Sequence, residues 1–560
     1  MKCTARLLFF LVMFAFLAPF AAADSLGELA RDFWTWRAAE QPFSGDDIPR
    51  IERPAGWKAD WSAGAFAQRR KDLQRFEERW KSIDASRRPV AEQVDYRLMG
   101  SAIARVRWEL EIVRGWQRNP VFYVDQTLGS IFVALTQPPP FDAQRSAEIL
   151  ARLRQIPRTV ADARENLSDA AAPFARLAIS QLSGVRANLA RSATELKPLL
   201  DGVSAAQLDA AVEQATAALE EYREWLKKRL PEMQGEAAVG RAGFEFFLKR
   251  VALTPYTPEQ LVAMARQEWE RAVAFETYEH ARNEKLPPLP LFKDQAAQIT
   301  RSREQENEIR RLLEEKNILS IPARIRHYRK LPLPAYLKPL EEMGVPDDLT
   351  GPSRLDQDGV SYIPAPAETL GYFAGASARD PRPIIVHEGV PGHYFQLTLG
   401  WGQEDPIRRH YYDSGANEGI GFYGEEMMLQ AGLFDDSPRS REIIYNFMRF
   451  RALRVEVDVK LATGEFTIDQ ATDYFVKMVP MDRASALEDA ALYAAAPGIG
   501  ISYQTGKLQI VKFLAEAQRA EGEKFSLRKF HDFLWNNGNV PIALQRWEYL
   551  GLADEMELLR

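Results

Sequence analysis

The near-absence of two-residue alternation constrains this chain more than any other feature. From Asp60 onward apolar residues recur every three or four positions, the spacing of one helix face. Runs that alternate in and out, as a half-buried strand requires, are rare. Asp60–Asp84 carries Phe66, Leu73, Phe76 and Trp80 on this repeat, and Val94–Trp116 carries Tyr96, Ile103, Val106, Leu110 and Ile112. Ala- and Leu-rich amphipathic segments follow over Asp142–Arg154, Ala171–Leu196 and Ser204–Leu230. Thr257-Pro258-Glu259-Gln260 reads as a cap with proline at the first helical position, opening a helix that runs to about Glu284. Further helices are expected over Ser302–Asn317, from Asn417 and over Arg441–Ala462. Arg454 and Asp458, four apart, read as an ion pair on one helix face. Within the Pro-rich stretch Ile318–Arg382, Val360–Pro364 is the best strand candidate, either an ordinary edge strand or one to which an extended peptide adds. The expected class is mostly α: a large helical, bundle-like fold with a small β element near the motif described below. A change of texture at Gly240-Arg241-Ala242-Gly243 divides the chain into an N-terminal helical region, 24–239, and a region 240–560, the two expected to form one continuous unit.

The first 23 residues have a different character. Lys2 and Arg6 precede an apolar run from Leu7 to Phe20, too short to span a bilayer comfortably, and Ala21-Ala22-Ala23 fits a small-residue cleavage site. The reading is a signal peptide cleaved after Ala23, no stable membrane insertion afterwards, and a periplasmic or secreted destination. Cys3 is the only cysteine and precedes the apolar run, so the mature chain has no disulfide, as a core of this size allows. The net charge is −6 with both signs interspersed, and no basic tract points to nucleic acid. Nothing in the sequence sets the oligomeric state.

The chemistry concentrates at Ile384-Ile385-Val386-His387-Glu388-Gly389-Val390-Pro391-Gly392-His393. Two of only six histidines bracket a glutamate, a variant of the zinc motif H-E-x-x-H in which two imidazoles bind metal and the glutamate is the general base. In that motif the histidines are four apart and share a helix face. Here they are six apart, roughly 120° around a regular helix, and one ion would not reach both. Pro391 lacks an N–H and clashes with the carbonyl of His387, and Gly392 accepts backbone angles closed to other residues. The helix is therefore expected to break between the histidines, letting His393 swing back beside His387. The alternative is a buried helix end with two hydrogen-bonded histidines. Glu418, 25 residues after His393 at the start of the next helix, reads as a third ligand or as a carboxylate favoured by the helix dipole, and the histidines favour the ligand reading. Glu425, a heptad further on, is placed to support the ligands. Near the end, Pro497-Gly498-Ile499-Gly500 reads as a Gly-rich loop leading into a helix, with Tyr503 a candidate oxyanion donor and Lys507 a candidate partner for a substrate carboxylate; packing and surface roles are open for both. His531 reads as a structural histidine.

Together these motifs resemble the bacterial family catalogued as domain of unknown function 885, grouped with the gluzincin metallopeptidases. The matching residues are His387-Glu388-Gly389-Val390-Pro391-Gly392-His393 with Gln396, Glu418-Gly419 with Tyr423 and Glu425, Pro497-Gly498 with Tyr503 and Gly506-Lys507, Phe530-His531-Asp532, and Gly538-Asn539-Val540-Pro541. The resemblance implies a helical fold with a deep central cleft, one Zn2+ held by His387, His393 and Glu418, Glu388 as general base and Tyr503 near the oxyanion. It departs from the family pattern at Tyr394, Ile420, Ala462 and Leu492, positions that bear on substrate choice. The expected function is a zinc-dependent peptidase, of carboxypeptidase or dipeptidase type, acting on short peptides or chain ends, with Tyr362 and Lys507 as candidate substrate contacts. The rival is a metal-free peptide-binding protein of the cell envelope.

Overall fold

The computed structural model describes residues 25–43 and 51–559. The expected signal peptide lies outside the described residues. The chain is mostly α-helical, with one small three-stranded sheet. Local chemistry sets the helix starts. Asp142 accepts from the Arg145 amide at the head of Ala143–Asn166. Thr257 and Gln260 form a reciprocal capping box at the head of Pro258–Asn283, with Pro258 at the first helical position. The expected single segment Ala171–Leu196 is two helices, Ala172–Gln181 and Val185–Leu196, because Gly184 takes a left-handed conformation (φ 75°) that ends the helical path.

The centre of the C-terminal half is the Pro438–Thr463 helix. It is buried on every face from Phe447 to Leu461, apart from Arg449 and Lys460, and packs along Pro258–Asn283. A helix enclosed in this way must satisfy its charged groups internally. The expected pair Arg454–Asp458 does not form. Arg454 reaches Asp489 (3.0 Å), while Asp458 accepts the backbone N–H groups of Gly498 and Ile501 (3.0 Å each). Asp458 thus caps the Ile499–Glu521 helix, which begins directly after Gly498 and leaves little of the expected Gly-rich loop. Burial pushes the Asp458 carboxyl up to about 7.

Strand β1 (Tyr328–Pro332) pairs in parallel with β3 (Gly359–Ile363), and β2 (Asp347–Asp348) pairs antiparallel on the other side, giving the order β1-β3-β2. The strand expected at Val360–Pro364 is therefore the central one, not an edge. Its backbone groups are already engaged, so it is not the strand an added peptide would join.

The regions 24–239 and 240–560 share their interior. The largest apolar core joins the N-terminal helices to Tyr336, Tyr362, Tyr411, Leu544 and Trp547. Between the halves lies a cavity of about 1690 Å3, lined by aromatic residues such as Trp34, Trp108, Phe122 and Trp401 and by the ends of several C-terminal helices. Among the described residues no helix is long and apolar enough to cross a membrane.

Candidate metal centre

The break between the two histidines is present. A π-helical turn over Ile385–Gly389 ends at Val390, whose backbone is extended (φ −125°, ψ 122°), and a new helix runs over His393–Trp401. Gly392 sits so close to the preceding turn that a Cβ there would lie 1.7 Å from the His387 carbonyl oxygen. Only glycine lets the chain double back at this point. Trp535 donates its indole N–H to the Pro391 carbonyl (2.6 Å) and fixes the connection. The two imidazoles end edge to face, with ring centroids 4.7 Å apart.

Glu418 completes the group from the Ser414–Gln430 helix, whose N-terminus is capped by Asp413. Its Oε2 lies 3.2 Å from His387 Nε2 and 3.3 Å from His393 Nε2. The helix reaches this position through backbone contact with Ile499–Glu521: a Cβ on Gly419 would lie 2.6 Å from the Gly506 Cα. His387, His393 and Glu418 are all nearly inaccessible to solvent. Glu388 is not; its side chain keeps 27% exposure, with Oε2 3.9 Å from His393 Nε2. His387, Glu388 and His393 each offer a ligand atom within 4.8 Å of the others.

The far side of His387 is equally organised. Its Nδ1 lies 2.8 Å from Glu425 Oε1, and Arg451 holds the same carboxylate through Nη1 to Oε2 (3.0 Å) and Nη2 to Oε1 (2.9 Å). Arg451 is itself enclosed by the faces of Phe422 and Phe447. Burial and Arg451 both disfavour charge on His387, but hydrogen bonds to Glu418 and Glu425 outweigh them and lift its pKa to about 9. Burial opposes ionisation of Glu418 too, yet the two imidazoles hold its carboxyl well below the usual range. Glu425 was legible as a supporting group from its heptad spacing. Arg451 was missed, since nothing in a helical sequence separates a buried arginine from a surface one. Also missed was the polar group of the sheet near Glu388: Lys330 donates to Ser361 (2.8 Å) and Tyr328 to Asp347 (2.7 Å).

Tyr503 lies beside the centre. Its ring stacks on His387 (centroids 6.1 Å, 14° between planes), and Arg454 sits 4.5 Å over it. Two other expectations need correction. Lys507 is 1% exposed; its ammonium lies 2.8 Å from Glu268 and 2.5 Å from Glu426, over the Phe422 ring, so it is engaged in a structural ion pair. Tyr362 is 4% exposed and packs into the N-terminal core, away from the cavity wall. At the departures from the family pattern, Tyr394, Ile420 and Ala462 are buried, whereas Leu492 lines the cavity.

None of the candidate ligand residues lines the cavity itself, but the helices that carry Glu418 and Tyr503 do reach its wall. Ser414 and Ile499 are cavity-wall residues, each four positions before a residue of the centre, Glu418 and Tyr503, on the same helix face.

The chain matches, over residues 51–547, the family described as "Bacterial protein of unknown function (DUF885)", and it belongs to that family. No curated protein matches it. Two solved structures share its fold. One, described as a candidate lipoprotein of unknown function from Shewanella oneidensis, is 18% identical with a TM-score of 0.69; the match covers 94% of this chain and all of that one. The other, described as a candidate lipoprotein from Colwellia psychrerythraea, is 17% identical with a TM-score of 0.73, covering 95% of this chain and 98% of that one.

Proposed function

We propose that this member of the family is a zinc-dependent peptidase of the cell envelope, acting on short peptides or chain ends. The observation that carries the reading is the spacing of Glu418 Oε2 from the two imidazole Nε2 atoms. Atoms held about 2.0–2.1 Å from one zinc in a tetrahedron lie roughly 3.3 Å from each other. Glu418 Oε2 stands 3.2 and 3.3 Å from the two Nε2 atoms. The donor set, two imidazoles and a carboxylate, suits zinc with one position left open, and Glu425 orients His387 as a supporting carboxylate does in such sites. Zinc bound there would supply a Lewis acid and lower the pKa of a water to about 7.

The remaining work falls to the chain. Glu388, solvent-reached and next to His393, takes the proton of the attacking water on its carboxylate and returns it to the leaving amine. Tyr503, against His387, donates its hydroxyl to the oxyanion as the carbonyl becomes tetrahedral. The buried ligands keep bulk water away from the reacting group, where each charge then counts for more. The cavity of about 1690 Å3 exceeds the usual span of small-molecule pockets, about 300–1,000 Å3, which fits an oligopeptide. Its position between the halves favours short peptides or chain ends over folded proteins. The N-terminal targeting pattern supports a periplasmic or secreted location.

Metal analysis of protein purified without added zinc tests the reading, together with peptide hydrolysis by wild type and Glu388→Gln. One zinc per chain, lost in His387→Ala, and hydrolysis lost in Glu388→Gln with zinc retained are the expected results. A chain that holds no ion and melts identically in chelator is instead a metal-free peptide-binding protein.

A further inference from the structure

Two features coincide on the wall of the cavity between the halves. Six of the chain's twelve tryptophans line it, and Trp34, Trp36 and Phe122 are only half-buried, so part of each ring stays accessible. Among the described residues the wall also carries nine carboxylates, four guanidiniums and no lysine, an excess of five where the whole chain has a net charge of −6. The charges divide between the halves. Residues before 240 contribute four carboxylates and all four guanidiniums, and so balance; Arg37 is held by Glu109 (2.5 Å) and Arg69 by Glu40 (2.8 Å). Residues after 240 contribute five carboxylates and, among the described residues, no arginine or lysine. Of these five, Glu368 is held by Arg379 (2.5 Å), and Asp482 accepts the Ser485 amide (2.9 Å) as a helix cap. Glu341, Glu342 and Glu488 are exposed and have neither an ion pair nor a side-chain hydrogen bond among the described residues.

Glu488 meets solvent, yet burial and the charges of Asp489, Glu342 and Asp482 raise its pKa. A side chain that is accessible while surrounded by protein projects into a wide cavity, and carboxylates that repel one another there favour a cation among them. An anionic ligand would meet the same repulsion. A bare metal ion would leave the rings without a role, and a purely apolar ligand would leave the carboxylates without one. A lysine or arginine side chain engages both: its methylene stem packs on aromatic surface, and its head group is drawn to ring faces and to carboxylates. We propose that the cavity selects peptides carrying lysine or arginine, with Glu342 and Glu488 receiving the charged head groups and the aromatic wall receiving the stems. The proposal rests on the peptidase reading and adds which peptides the cavity would admit.

Three peptides of one sequence, differing only in whether two internal positions are Lys, Gln or Glu, are compared with zinc-loaded wild type. The Lys peptide is expected to be cleaved with kcat/KM at least about tenfold above the Glu peptide, with the Gln peptide between them, the scale on which like charges brought together are disfavoured. Glu342→Gln combined with Glu488→Gln should cut the preference for Lys over Gln at least about threefold, through KM. Glu213→Gln combined with Glu224→Gln makes the same change of charge on the exposed face of Gly202–Arg229, away from the cavity, and should keep the preference. Equal handling of the three peptides, or better cleavage of the Glu peptide, overturns the proposal, and so does an equal loss of preference in the two double variants. Calorimetric binding of the same peptides to Glu388→Gln keeps this separate from the hydrolase reading. If wild type cleaves nothing, at least about tenfold tighter binding of the Lys peptide than of the Glu peptide, reduced when Glu342→Gln and Glu488→Gln are added, sustains the charge preference, and equal binding overturns it.

Discussion

His387 and His531 are both fully buried and both use two ring nitrogens, yet they are opposite kinds of site. His387 stands between two carboxylates, Glu418 and Glu425, and its pKa is lifted to about 9. His531 stands between two neutral groups, the Ile318 carbonyl at 2.9 Å and the Tyr423 hydroxyl at 2.8 Å, and burial pushes it down to about 4. Burial alone therefore makes no chemistry. The sign of the partners decides whether an imidazole is held neutral as a strut or surrounded by negative charge that a cation can share.

The largest expected effect separates the two sites by function. Glu388→Gln should lower kcat by about 10²–10⁴-fold, the usual contribution of a general base, with zinc content unchanged, while His531→Gln leaves turnover per folded molecule near wild type. A peptide-hydrolysis assay normalised to zinc content reads both, and a large loss in His531→Gln would break the comparison.

The next effect is on stability. In the folded state His531 stays neutral down to about pH 4, whereas in the unfolded chain it takes up a proton near pH 6.5. The unfolded state binds more protons between these values, so stability falls as pH drops from about 6.5 to about 4, by about 3 kcal/mol in total. Asp458, raised to about 7, acts with the opposite sign, so stability falls as pH rises from about 4 to 7 on its account. Urea unfolding of wild type and His531→Gln across pH 4–7 isolates the histidine: the difference between the two curves should carry the slope, and parallel curves would refute its neutral burial.

The smallest effect sharpens the charged site. Glu425→Gln keeps the shape but removes the charge behind His387, and zinc affinity measured by competition with a chelator should fall about 10–100-fold. An unchanged affinity would mean that Glu425 serves Arg451 rather than the metal.

Much of the centre was legible because its signals are local. A proline and a glycine between two histidines predict a break, since the clash of Pro391 and the missing side chain of Gly392 act within a few residues. The capping box at Thr257 was readable for the same reason. Where the sequence misled, the deciding partner lay far along the chain. Lys507 pairs with Glu268, Arg454 with Asp489, and Tyr362 packs beneath the N-terminal helices. The middle position of β3 likewise depends on two strands, one of them more than 25 residues earlier.

The sequence by itself determined the helical class, the interruption between the histidines and the identity of the residues able to bind metal, because periodicity, backbone restriction and ligand chemistry are properties of short stretches. Only the tertiary structure decided that Glu418 meets both imidazoles, that Arg451 and Glu425 close the far side of His387, and that carboxylates outnumber guanidiniums along the cavity wall. Those outcomes depend on close packing between distant helices, where the Gly419–Gly506 contact brings two backbones together, and a distance in space between remote residues is not encoded in their spacing along the chain.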